Sequence, residues 1–238
     1  MNKTLIRAAK VWNDFVSLFF PRLCLACEQP LPYQEPFLCY HCQLKLPETN
    51  FHLSVSNPFT QYFEGRVTLE NAAALFFFSY KTPVQHLIHQ IKYHGKKEVA
   101  LELGRLFGVK LAKTTHFQGI DCIVPVPMHP TKQRWRGYNQ AEMIALGLSN
   151  AMNIPLDKTA LCKTKLTISQ TQLSKWERFE NTQDIFELID IDAFKGKHIL
   201  IVDDVMTTGA TLEGCAYAIL KEVKDVKISF ATLAYVTR

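Results

Sequence analysis

The chain of 238 residues is 47% hydrophobic and 21% charged, with no low-complexity tract, so it can bury a sizeable core and is not a disordered protein. A net charge of +5 and a pI near 8.8 are mildly basic. They suit an anionic partner (phosphate, nucleic acid or an acidic membrane) without selecting one. Seven cysteines, an odd number with Cys122, Cys162 and Cys215 scattered singly, argue against an oxidised secreted scaffold.

Leu5, Trp12, Phe15, Val16 and Phe19 recur at helical spacing, which predicts an amphipathic helix over residues 1–22. Such a helix docks on the body of the protein, or lies on a membrane surface or a partner. Lys3, Arg7 and Lys10 precede its apolar stretch. Asp14 interrupts that stretch, however, and Phe20, Pro21 and Arg22 stand where a small-residue cleavage site would be. The reading is a retained N-terminus on a cytoplasmic protein. The longest purely apolar runs are strand-length, too short to cross a bilayer.

Cys24, Cys27, Cys39 and Cys42 follow as two C-x2-C pairs eleven residues apart, within a module at 23–48. Four thiolates at this spacing can close a structural tetrahedral zinc site; redox chemistry and an iron–sulfur cluster are the alternatives. Residues 49–70 lack clean periodicity, contain Asn57-Pro58, and read as a connecting loop.

From residue 71 to 238 strands alternate with helices. Strands are predicted at 72–80, 120–126, 196–202 and 226–235, and helices at 84–93, 99–113, 139–152 and 210–222. Leu101, Leu103, Leu106, Val109 and Leu111 form the apolar stripe of the second helix. Alternation of this kind implies crossover connections, hence an α/β fold with a mostly parallel sheet flanked by helices.

The strongest chemical signal runs from Lys197 to Leu212. Ile199, Leu200, Ile201 and Val202 make a central strand buried on both faces, and Asp203 and Asp204 come where it leaves the sheet. Thr207, Thr208, Gly209, Ala210 and Thr211 then turn into a helix. Its free amides and dipole, with the threonine hydroxyls, can cradle a phosphate. Acids beside a phosphate cradle make sense for a sugar phosphate: carboxylates accept from ribose hydroxyls while amides hold the phosphate.

This segment resembles the phosphoribosyl pyrophosphate-binding motif of the type I phosphoribosyltransferase fold. With the paired cysteines, Ile91-Lys-Tyr-His-Gly95, Val124-Pro-Val-Pro-Met-His129, Arg134-Trp-Arg-Gly-Tyr-Asn-Gln140, Gln170 and Arg178-Phe-Glu-Asn181, the chain is similar to the ComF/GntX family of ComFC-like competence proteins. The resemblance implies that Asp203 and Asp204 bind ribose hydroxyls, that residues 207–211 hold the 5-phosphate, and that Mg²⁺ accompanies the pyrophosphate. It also implies a role in natural competence.

In proteins of this fold the pyrophosphate loop follows a strand equivalent to 120–126. Here Pro125 and Pro127 stiffen the loop, and His129, Lys132, Arg134 and Arg136 follow; arginine forks suit phosphate oxygens. The same residues also read as a solvated basic loop, or as the cap of the next helix through Gly137 or Asn139. The polar segment 163–174 reads as a lid. Lys163 and Lys165 stand where arginines are commoner in the family.

Three functions fit. The first is a phosphoribosyltransferase using phosphoribosyl pyrophosphate and Mg²⁺. The second is a protein that handles single-stranded DNA during transformation, with a regulatory phosphate site. The third is an adaptor for other competence proteins. Aromatic residues among cations, Trp135 and Tyr138 beside Arg134 and Arg136, and Tyr93 and His94 beside Lys92, Lys96 and Lys97, suit single-stranded nucleic acid.

Overall fold

The computed structural model describes residues 21–32, 35, 37–164 and 185–237. The helix expected over 1–22 (Pro21 and Arg22 apart), most of the polar segment 163–174, Gln170 and the 178–181 motif lie outside the described residues.

Among the described residues six strands are formed: β1 (Asn71–Phe78), β2 (Cys122–Pro125), β3 (Leu161–Lys163), β4 (Phe186–Leu188), β5 (His198–Met206) and β6 (Lys227–Val236). Four of them make a wholly parallel sheet in the order β1-β6-β5-β2, as the alternating pattern predicts. The run Ile199 to Val202 is fully buried at its centre, as a parallel strand covered on both faces should be. β3 and β4 form a separate antiparallel pair. No sequence signal marked this pair, because each strand has three residues and the partners are more than twenty residues apart.

The α-helices among the described residues are α1 (Tyr40–Lys45), α2 (Pro58–Tyr62), α3 (Pro83–Tyr93), α4 (Lys97–Ala112), α5 (Pro130–Arg136), α6 (Gln140–Met152) and α7 (Ala210–Glu222). α3 begins on a proline, whose missing N–H costs nothing there. α4 crosses α6 very closely. A Cβ on Gly104 would stand 2.2 Å from the Ile144 carbonyl oxygen, and one on Gly147 would stand 2.1 Å from that of Leu101. The packing face of α4 is therefore Leu103, Gly104, Phe107, Gly108 and Leu111, and Leu106 of the expected stripe is exposed.

Residues 49–70 are not a simple connection. Residues 47–49 run antiparallel along β1, with the Phe77 amide donating to the Pro47 carbonyl (2.8 Å) and Thr49 to Leu75 (3.1 Å). Asn57, buried, caps α2 through its side-chain oxygen and donates from Nδ2 to the Ala72 carbonyl (3.0 Å). Phe59 and Phe63 are fully buried, with Phe63 edge-on to Phe230 of β6 at 5.1 Å. The segment escaped a periodicity argument because α2 is one turn long and its anchors are aromatic rather than regularly spaced. Among the described residues, no helix is long and apolar enough to cross a membrane.

Candidate functional site: two carboxylates and a phosphate-type turn

β5 extends four residues further than the apolar run implies. β2 keeps register only to Pro125 opposite Val202, while β5 stays paired with β6 as far as Met206 opposite Tyr235. Asp203 and Asp204 thus lie inside the strand rather than after it, on the stretch that β2 has left uncovered. β6 continues to supply backbone partners, so the carboxylates do not end the ladder.

Successive strand residues face opposite sides, which gives the acids different surroundings. Asp204, nearly buried, receives Lys92 of α3 at 3.1 Å. Asp203 accepts from the Asp204 amide at 2.8 Å. Burial, and then the neighbouring Asp204, raise the Asp203 carboxyl to about 7, while Lys92 and Lys163 oppose the rise. Lys163 is itself held below its usual range, by burial and then by Lys132. Its ammonium lies 5.0 Å from the Phe186 ring centroid.

Beyond Met206 the chain turns through Thr207, Thr208 and Gly209 into α7. Thr207 and Thr208 are exposed, Ala210 and Thr211 half-buried. Gly209 is the N-cap at φ +69°, so no side chain of its own covers the first-turn amides of Ala210 and Thr211. A Cβ there would also meet the Phe63 ring at 2.6 Å. The Tyr62 hydroxyl donates to the Thr208 carbonyl at 2.9 Å, and Arg66 pairs with Glu213 in the first turn of α7, its Nε 3.0 Å from the carboxylate. No motif in the sequence singles out Tyr62, Phe63 and Arg66. The only available signal was their density of aromatic and charged groups in a stretch without period.

The basic loop is a helix for much of its length. Pro130 at the first position and His129 as the cap, its Nδ1 accepting from the Thr131 amide (3.2 Å), start α5. Periodicity gave no signal because α5 buries no residue. Arg134 is exposed on α5. Arg136 turns inward: Nη1 donates to Gln140 Oε1 (3.1 Å), its guanidinium sits 5.5 Å from the Tyr93 ring centroid, and its Nε is buried without a protein partner. Asn139 caps α6, accepting from the Ala141 amide (3.1 Å) while donating to Val126 (3.0 Å). The structure thus gathers Lys92 with Asp203 and Asp204, and leaves Arg134 on the outer surface. A cleft of about 200 Å³ lies along the residues that follow β2 and is lined in part by Pro127, Met128, Asn139 and Lys163. Larger hollows of about 540 and 800 Å³ lie along residues 55–70 and between the cysteine segment and α3–α4, away from the acids.

The sulfurs of Cys24, Cys27, Cys39 and Cys42 all lie within 4.8 Å of one another, those of Cys27 and Cys39 being 3.8 Å apart. Four sulfurs on a tetrahedral zinc with bonds of about 2.3 Å would stand about 3.8 Å apart, so this group is compatible with a zinc ribbon. The Cys39 amide points at the Cys24 sulfur (3.4 Å), the kind of contact that steadies a thiolate ligand.

The parallel sheet, its flanking helices and the acid–turn–helix order at the end of β5 define a phosphoribosyltransferase-like α/β domain. Residues 144–237 match the phosphoribosyl transferase domain family. The chain is 30% identical over 221 residues to DNA utilization protein YhgH of Escherichia coli K12, covering 86% of this chain and 93% of that one. It is 29% identical over 203 residues to competence protein F of Haemophilus influenzae, covering 82% and 89%. Competence protein ComFC of Bacillus subtilis is 24% identical over 239 residues, with 89% and 94% covered. The chain belongs to the ComF family.

Proposed function

We propose that this protein binds phosphoribosyl pyrophosphate, or a closely similar sugar phosphate, and acts in the handling of incoming single-stranded DNA during competence. The observation that carries the ligand reading is the placement of Asp203 and Asp204 on the uncovered stretch of β5, immediately before an exposed threonine turn and the helix start at Gly209. In this reading Asp203 and Asp204 accept from ribose hydroxyls, while Thr207, Thr208 and Thr211 with the amides of Gly209 and Ala210 hold the 5-phosphate. Lys163 faces the same region and supplies charge for a second phosphate. The DNA reading comes from the names of the relatives: a DNA utilization protein and two competence proteins.

Mg²⁺ fits the donor set. It is a hard cation that takes one or two carboxylates plus substrate phosphates, and a burial-strained Asp203 gains by meeting a cation. When bound it would neutralise pyrophosphate charge; the chain's own groups position the sugar and exclude water. The cysteine group is assigned to a structural zinc on the fit of its sulfurs.

Calorimetric titration of phosphoribosyl pyrophosphate with Mg²⁺ tests the reading. Binding by the wild type and its loss in the Asp203→Ala/Asp204→Ala variant is the expected result; equal affinity in both sinks it. A second reading, a DNA-binding or partner-binding adaptor whose phosphate site is regulatory, draws on the Lys92–Asp204 ion pair, which already satisfies one of the two acids. Binding without pyrophosphate release across candidate acceptors favours it; release favours the transferase.

A further inference from the structure

We propose that an exposed aromatic shelf made by His89, Tyr93 and Trp135 is a stacking site for the unpaired bases of a single-stranded nucleic acid. The inference rests on the DNA-handling reading above and deepens it by naming where the bases sit. In the sequence Tyr93 and Trp135 fall in two separate clusters. The fold joins them: their ring centroids lie 6.3 Å apart, edge to face, with His89 4.8 Å from Tyr93 and His94 5.2 Å from His89. Two helices, α3 and α5, thus build one continuous run of rings.

The rings are not core. Trp135 is 73% exposed and Tyr93 53% exposed, and α5 buries no side chain. Tyr138, the second aromatic of the Arg134–Gln140 motif, behaves oppositely. Its hydroxyl donates to the Ile91 carbonyl, and burial lifts it to about 12, so it serves packing and stays out of the shelf. Cations surround the exposed rings: Lys96 and Lys97 follow at the end of α3, Arg134 precedes Trp135, and the Arg136 guanidinium lies over Tyr93. Apolar faces interleaved with cations match a strand that offers base faces and phosphates in alternation. A contact to backbone alone would need the cations and no rings. The shelf also adjoins the acids, because Lys92, the residue before Tyr93, is the partner of Asp204.

Fluorescence anisotropy on the full chain tests this with three labelled probes of equal length: oligo(dT), an abasic strand and a duplex. Stacking on an aromatic ring is worth ~1–3 kcal/mol per base, so Tyr93→Ala and Trp135→Ala are each expected to weaken oligo(dT) binding about 5-fold or more. Abasic-strand binding and the salt slope should stay unchanged, and Trp135→Phe should restore most of the affinity. Two outcomes overturn the shelf while leaving DNA binding intact: wild-type protein that binds oligo(dT) no better than the abasic strand or duplex, or alanine variants with unaltered oligo(dT) affinity. A wild type that binds none of the probes overturns the DNA-handling reading itself, and the shelf with it.

Discussion

Asp203 carries an ionisation cost that the proposed sugar phosphate and its cation would relieve. Its carboxyl is raised from the usual range to about 7, chiefly by burial and then by Asp204. Between the unfolded value near 3.8 and that folded value, the native state binds a proton that the unfolded chain has released. Stability therefore falls as pH rises across this interval and stays lower above it. Asp203→Asn is expected to raise the melting temperature at pH 8, by ~1–2 kcal/mol of added stability, with no gain below pH 4; thermal scans across pH measure it. A ligand that needs the carboxylate must displace the proton below pH 7. Its affinity should rise with pH up to that point and level off, with proton release visible in calorimetry in buffers of different ionisation enthalpy. Lys92 belongs to the same group of charges. Lys92→Met leaves Asp204 nearly buried without its partner, at a cost of ~1–2 kcal/mol for a pair that water still reaches. A DNA-binding defect in that variant would therefore not isolate a phosphate contact, whereas Arg134→Ala, on the outer surface, would.

Among the elements, legibility in the sequence followed the number of residues that repeat a pattern. α3, α4, α6 and α7 announce themselves by apolar spacing over eleven residues or more, and α7 begins and ends where the sequence places it. β5 shows through its apolar run Ile199 to Val202, and β6 through a mostly apolar stretch broken only by Ser229 and Thr232, because both faces are covered. α5, α2 and the β3–β4 pair were unreadable: one buries nothing, another is a single turn, and the strands of the last are three residues long. The acids and the threonine turn were legible because their chemistry is local to residues 203–211. Tyr62 and Arg66, which grip that turn from another part of the chain, were not, since only tertiary folding brings them there. The α4–α6 crossing gives a test at this scale. Gly104→Ala or Gly147→Ala forces a methyl into backbone, so each should cost ~2–4 kcal/mol in urea denaturation. Gly209→Ala combines left-handed backbone with a clash against Phe63 and should cost a similar ~2–3 kcal/mol, together with ligand affinity.

Over the whole molecule, the cysteine group closes backbone contacts Leu25 to Phe37 and Cys24 to Gln29 within its own segment, while Cys24, Ala26, Leu38 and Cys42 are buried in one hydrophobic core with the sheet. A zinc held there should account for one metal per chain by elemental analysis. Cys42→Ser is expected to remove it, and chelation to lower the main melting transition rather than abolish a separate step. A distinct low-temperature step with the main transition unchanged would mean that the module melts independently of the sheet.

The edge that residues 47–49 add to β1, and the grip of Tyr62 and Phe63 on the helix start at Gly209, have a practical corollary for dissecting the protein. A protease-trimmed fragment starting at Asn71 would keep every strand of the parallel sheet, yet lose the aromatic plug beneath the Thr207–Gly209 turn. The smallest autonomous unit should begin upstream of Pro47, and a protease-resistant core mapped by mass spectrometry is expected to start there rather than at the first strand.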